Sequence, residues 1–429
     1  MPDQNSSSYK TAADHKGESP RTQPVPIPPS KKDALAAVCG LQENSQQLPR
    51  EFVDSAGNGV CSFPIPPQLT VNHALNEILV FARAQEASDV HLSVNNPIVF
   101  RKFSHLQPQT SNVMSKEKIM GLIEKTFPPH LISEFLKTGD SEFVHVIEGA
   151  GRFRITLMKQ RFGWDLTARV IPMRIRSFEE SGLPLSCVNL TKWAQGLVLV
   201  TGPAACGKTS TLATLVEFIN KNRHEHIITI ESPIEIVYTP DKCQITQRQI
   251  KKHSLSQNNA LRAALREDID ILIVNELRDL ETIQLAVTAA ETGHLVFGTM
   301  NTYTASQTIS SLINSFPPED QGIITNMISE SLRGIICQQL IPRRDGKGVV
   351  PCYEVLILKS AIANMIRVGS IQQINNSIVT GKSDGMCLFD HSLEKLVQDG
   401  IVDLKEAKAR AISPEIFLSD TNTTELQPQ

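Results

Sequence analysis

Hydrophobic periodicity divides this chain before any motif is considered. Through residue 68 there is none: SSSYKTAADHKGESPRTQPVPIPPSKK typifies a stretch rich in Ser, Pro, Gln and Lys. Such a segment cannot bury enough apolar surface to offset its chain entropy, so residues 1–68 read as a disordered extension. The pattern then switches on. Leu75, Ile78, Leu79 and Ala82 recur at helical spacing, with Asn72 as the expected N-cap. Asp89-Val90-His91-Leu92-Ser93-Val94 alternates as a half-buried strand does, and EFVHVIE, RFRITLM and DLTARVIPM repeat that signature. Residues 70–175 therefore read as a small α+β domain. RSFEESGLPLSCVNLTKWAQG has turn residues and little periodicity, so 176–195 read as a linker.

From Gly196 the strands lose their alternation. LVLVT, HIITI, ILIVN and HLVFGT are continuous apolar runs. Helical stretches separate them, such as TSTLATLVEFINKN with Leu212, Leu215, Val216 and Ile219 on one face. Buried strands alternating with helices imply a parallel sheet covered on both sides, which makes the fold class α/β with its core at 196–350. After Pro351 the chain reads as a helical subdomain, 351–413, and a polar disordered tail closes it at 414–429.

The 429 residues suffice for two or three domains with separate cores. Lys+Arg number 42 against 45 Asp+Glu, a net of -3, so no general basic surface argues for nucleic acid and none is expected as a partner. The eight cysteines are scattered without a C-x-x-C pair. They read as reduced thiols in a cytosolic protein rather than a disulfide framework or zinc site. His73, His105 and His130 lack metal-like spacing too. With no run of about 18 apolar residues and no apolar signal core, the chain is expected neither to span a membrane nor to be secreted by that route.

Chemistry enters at GPAACGKTST, which satisfies the phosphate-loop pattern G-x-x-x-x-G-K-[ST] between an apolar strand and an amphipathic helix. Residues Gly202, Pro203, Ala204, Ala205, Cys206, Gly207, Lys208, Thr209 and Ser210 form the expected nucleotide cradle. Backbone N–H groups of Ala205 to Thr209 would ring the β-phosphate at a helix N-terminus. Lys208 would reach the β- and γ-phosphates, and the Thr209 hydroxyl would bind Mg²⁺. ATP and Mg²⁺ are thus the expected ligands. Hydrolysis also needs an acid that orients water. Glu276 ends the apolar strand of ILIVNE, and Glu231 ends HIITIE, which lies between the phosphate loop and Glu276 in the chain. An inserted strand carrying an acid suggests a RecA-like core. Asp279, just before LETIQLAV, reads as a helix N-cap.

GLVLVTGPAACGKTSTLATLVEFIN, IITIESPIEIVY, ALREDIDILIVNELRDLETIQLAVTAAETGHLVFGTMNT and SFPPEDQ together resemble the type II/IV secretion ATPase superfamily. More narrowly, they are similar to the PilT/PilU-like retraction (twitching-motility) ATPases of type IV pili. ASDVHLS, GRFR and GMCLFDHSLEKLVQDGIV extend the likeness to about residues 70–413. The resemblance implies a PAS-like N-terminal domain at 70–175 and a RecA-like P-loop domain with a helical C-terminal part. It implies a cytoplasmic homohexamer, peripheral at the inner face of the cytoplasmic membrane. That ring would work on an inner-membrane platform protein, with a paralogous ATPase as a further partner. Residue by residue, it places the Asp-box glutamate on Glu231, also a metal-side acid, and the Walker B glutamate on Glu276. The first His-box histidine falls on His294, and the phosphate-approaching arginines fall among Arg152, Arg154 and Arg169.

The sequence departs from that family in places that bear on chemistry. Ala205 stands where members usually carry Gly; if the position needs φ > 0, alanine costs about 1–2 kcal/mol and weakens nucleotide binding roughly tenfold. Ser232 replaces one acid of the Asp box, and Asn275 precedes Glu276 in place of Gly. Asn301 takes the place of the second His-box histidine, and an amide can donate a hydrogen bond but cannot carry charge. Losing such a stabiliser costs about 3 kcal/mol in turnover. AIANMIRVG has Ala363 where a retraction enzyme has arginine, with Arg367 one helical turn on. The expected product is a slow ATPase; the alternative is a non-catalytic, nucleotide-binding scaffold of a pilus or secretion ring.

Overall fold

The computed structural model describes residues 65–417. Most of the expected N-terminal extension, and the tail from 418, lie outside the described residues. Helix α1 (Leu75–Ala84), β1 (Asp89–Leu92), β2 (Val99–Lys102), β3 (His105–Pro108), α2 (Lys116–Thr126), α3 (Pro129–Thr138), β4 (Asp140–Ile147), β5 (Gly151–Gln160) and β6 (Gly163–Val170) form the first layer pair. The sheet runs β3-β2-β1-β6-β5-β4, antiparallel throughout. Leu75, Ile78 and Leu79 of α1 are buried with Phe100, Phe153, Ile155 and Leu166 of the strands. Because strand side chains alternate, Arg152 and Arg154 fall on the sheet face opposite Phe153 and Ile155. Register then sets Arg154 opposite Arg169, and Arg169 opposite Asp89.

The cap of helix α1 lies two residues later than expected. Its N-cap is Ala74, whose N–H donates to Glu77 Oε2 at 2.7 Å. A glutamate at the third helical position reaches back to that amide, which corrects the reading of Asn72 as the cap. Two expected boundaries also move. Ile65 already packs against the first core, and Phe417 is 1% exposed within the last one, so order extends beyond the limits set at 68 and 414. The stretch read as a linker is a packed segment: Phe178, Leu183, Cys187 and Leu190 are buried against the next strand.

The second sheet is built from β7 (Gly196–Thr201), β8 (His226–Glu231), β9 (Gln244–Gln249), β10 (Ile271–Val274), β11 (Leu295–Met300), β12 (Leu332–Pro342) and β13 (Val349–Ile357). Their order is β13-β12-β7-β11-β10-β8-β9. All neighbours are parallel except β12 and β13. Helices α4 (Lys208–Asn222), α5 (Gln257–Ala264), α6 (Leu280–Glu291), α7 (Ala305–Asn314) and α8 (Gln321–Ser331) flank it. Leu197 and Leu199 enter one core while Val198 and Val200 enter the other. Both faces are buried, which explains the unbroken apolar run. Asp279 caps α6 as expected, accepting from the Thr282 N–H at 2.9 Å.

The helical part, α9 (Ser360–Arg367), α10 (Ile374–Thr380), α11 (Phe389–Gln398) and α12 (Leu404–Arg410), starts only after β13. The expected helical start at 351 is therefore corrected: Pro351 sits inside β13, opposite Leu340. An edge strand tolerates a residue without an N–H. Glu354 on β13 is 2% exposed and accepts the N–H groups of Ala305 and Phe389. It thereby ties the starts of α7 and α11 to the sheet. Arg367 reaches Ser329 Oγ of α8 at 3.4 Å. Among the described residues, no helix is long and apolar enough to cross a membrane.

Candidate nucleotide site

In a parallel sheet, the loops at the C-terminal ends of the strands meet along one edge, and that edge gathers the chemistry here. β7 ends at Thr201 and α4 begins at Lys208, so residues 202–207 form a tight loop over a helix N-terminus, where the dipole favours anions. Gly202 (φ 144), Ala205 (φ 62) and Gly207 (φ 93) all take positive φ. The question raised by Ala205 is thereby answered: the position is left-handed and alanine is strained there. Ala205→Gly is expected to tighten nucleotide binding by up to roughly tenfold, the reverse of a penalty of about 1–2 kcal/mol. Titration with a fluorescent ATP analogue checks this, and unchanged affinity would mean the strain is relieved elsewhere.

Lys208 points into the loop. Its Nζ donates to the carbonyls of Gly202 at 2.7 Å and Pro203 at 2.9 Å. It also donates to Asn301 Oδ1 at 2.8 Å. Burial holds its pKa below the ordinary lysine value; the thiol of Cys206 and the carboxylate of Glu276 oppose that shift, and the Arg169 guanidinium adds to it. An ammonium short of water beside free helix amides is matched to a polyanion.

Glu276 follows β10 in the left-handed region, φ 68. Thr299 Oγ1 accepts its N–H at 2.9 Å, and Gln257 Nε2 donates to its carbonyl at 3.0 Å. A bulky residue held there stores backbone strain, which persists where the surroundings over-determine it. Its Oε1 accepts from Asn301 Nδ2 at 2.6 Å and pairs with Arg278 Nε at 2.5 Å. A single carboxamide thus joins Lys208 to Glu276. Strand order explains this. The strand inserted between β7 and β10 is β11, which ends just before Asn301, whereas the strand carrying Glu231 lies beyond β10.

Glu231 is 8% exposed and accepts from Thr229 Oγ1 at 2.7 Å and Gln247 Nε2 at 3.0 Å. Burial pushes its pKa up. Its partners lie on β8 and β9, while Thr209 sits in the first turn of α4; no contact joins the two expected metal ligands among the described residues. Arg152 Nε and Nη2 donate to the carbonyls of Glu235 and Ile234 at 2.7 and 2.8 Å. Arg154 bridges Glu235 at 2.7 Å and Glu142 at 2.6 Å. Those two arginines grip the loop after Glu231, and Arg169, 3.0 Å from Asp89, lies within electrostatic reach of Lys208.

His294 is not brought to this site. It precedes β11 and its ring Nδ1 stands 3.1 Å from the Ala289 carbonyl. The six residues of β11 put it roughly 20 Å from the phosphate-loop edge. One residue without any local signal does belong here: Gln338 of β12, whose side chain bonds the C-terminal end of the loop at Cys206 and the first turn of α4 at Thr211.

Residues 68–390 match the family described as Type II/IV secretion system protein. The chain is 38% identical over 343 residues to the type IV pilus retractation ATPase PilT of Pseudomonas aeruginosa, covering 80% of this chain and 99% of that one. It is 39% identical over 302 residues to a twitching motility protein of Neisseria gonorrhoeae, covering 70% and 81%. Among solved structures, the pilus retraction motor PilT with bound ADP superposes with a TM-score of 0.69 at 35% identity, over 80% of this chain and 99% of that chain.

Proposed function

The chain belongs to the type II/IV secretion system protein family, and from that premise we propose that it is an ATP-hydrolysing motor of the pilus-retraction kind. It works as a homohexameric ring in the cytoplasm, docked at the inner face of the membrane on a platform protein. The observation that carries the reading is the meeting of Lys208 and Glu276 on the Asn301 carboxamide. The first residue of α4 and a residue just after β10 then face one point, where the terminal phosphate of a bound nucleotide belongs. Lys208 exchanges its bonds to the Gly202 and Pro203 carbonyls for phosphate oxygens. Glu276 orients the attacking water and accepts its proton.

Magnesium, when bound, neutralises developing charge on the phosphates. The Thr209 hydroxyl, in the first turn of α4, is the ligand the chain offers it. Among the described residues no three His, Cys, Asp or Glu side chains stand together as a metal cage. Such an ion would be held mainly by phosphates and water, as Mg²⁺ prefers. Arg152 and Arg154 hold the loop after Glu231, and Arg169 adds positive field across the cleft.

One observation favours a second reading, a nucleotide-binding scaffold: Asn301 ties up both Lys208 and Glu276 without offering a charge of its own. Phosphate release measured across size-separated oligomers decides. Release that tracks the hexamer-sized fraction supports the motor; release shared equally with monomer, or absent from every fraction despite nucleotide binding, would reject it.

A further inference from the structure

We propose that Gln338 is the positioning residue that holds the phosphate loop in its nucleotide-binding shape; the inference rests on the ATP-binding reading above. Gln338 lies on β12, hydrogen-bonded beside β7, and is 4% exposed. Its Nε2 donates to the Cys206 carbonyl at 2.7 Å. Its Oε1 accepts from Thr211 Oγ1 at 2.5 Å, one turn into α4. Position 338 leaves no room for a side chain on either glycine of the loop, through its backbone at Gly202 and through the carboxamide at Gly207. A Cβ on Gly202 would lie 2.1 Å from the Gln338 carbonyl oxygen, and one on Gly207 would lie 2.8 Å from its Nε2.

Peptide geometry turns this packing into function. In a trans peptide the C=O and the following N–H point in opposite directions. Holding the Cys206 carbonyl inward on a buried amide therefore aims the Gly207 N–H the other way, out toward the anion site. Holding Thr211 fixes the first turn of α4, whose amides complete that site. Only a carboxamide of this length serves both contacts. Glutamate would set an anionic oxygen against the Cys206 carbonyl, asparagine is one methylene short, and leucine leaves the carbonyl and the hydroxyl without partners.

The test uses the full chain, a fluorescent ATP analogue as probe and thermal melting of the nucleotide-free protein as the control. Gln338→Leu and Gln338→Glu should each weaken binding by about tenfold or more, beyond any loss expected from lower melting alone. The contact is tested from its other side by Thr211→Val, which should weaken binding by about fivefold, and Thr211→Ser, which keeps the hydroxyl and should restore it. Should the Gln338 variants fail to fold, the Thr211 pair decides. Variants that melt lower yet bind at full strength, or a serine variant as weak as the valine one, overturn the role of Gln338. Absence of binding by the unsubstituted chain would overturn the ATP reading and this inference together.

Discussion

Glu276→Gln lowers phosphate release by about 10³-fold and leaves nucleotide affinity within about threefold, because the amide is isosteric and Lys208 keeps its own contacts. Glutamine retains an oxygen for Asn301 Nδ2 and for Arg278, and the strained turn at φ 68 keeps the Thr299 and Gln257 bonds to its backbone. What disappears is a base able to take a proton from water. Single-turnover phosphate release and nucleotide titration, done on one preparation, separate the two quantities. Turnover that survives the substitution would remove Glu276 from the reaction, and a parallel collapse of affinity would make its role structural.

How far the sequence anticipates this site depends on the range of each interaction. β7, the loop and α4 are contiguous, so periodicity and one local pattern reveal them together. Ala205 is legible as a question, and only a backbone angle answers it. β13 is misread because Pro351 resembles a terminator, whereas an edge position makes it harmless. His294 is singled out in the sequence only by the family's His box. Strand β11, running straight across a parallel sheet, carries it to the far edge. Gln338 shows the opposite case. It contacts Cys206 across 132 residues of sequence, and nothing in LRGIICQQLIP distinguishes a buried structural amide from one that shapes an anion site. Asn301 was legible as a difference of chemistry, but its bridging position depends on the sheet order.

Asn301→His raises turnover by about 10²-fold, with a smaller change in affinity. The carboxamide now accepts from Lys208 at 2.8 Å and donates to Glu276 at 2.6 Å. A neutral imidazole can reproduce both contacts, one through each ring nitrogen, so the swap tests charge rather than connectivity. If charge on the transition-state phosphate is what the amide lacks, the gain belongs to the imidazolium. It is then full at pH below the imidazole pKa and is lost as pH rises through it, near about 6.5 when unperturbed. The Glu276 carboxylate beside it would move that loss to higher pH, and the Lys208 ammonium to lower pH. Rate profiles of the two proteins should therefore diverge in acid and converge in base. A gain of equal size at every pH would assign the effect to shape, and no gain at all would show that charge at position 301 does not limit turnover.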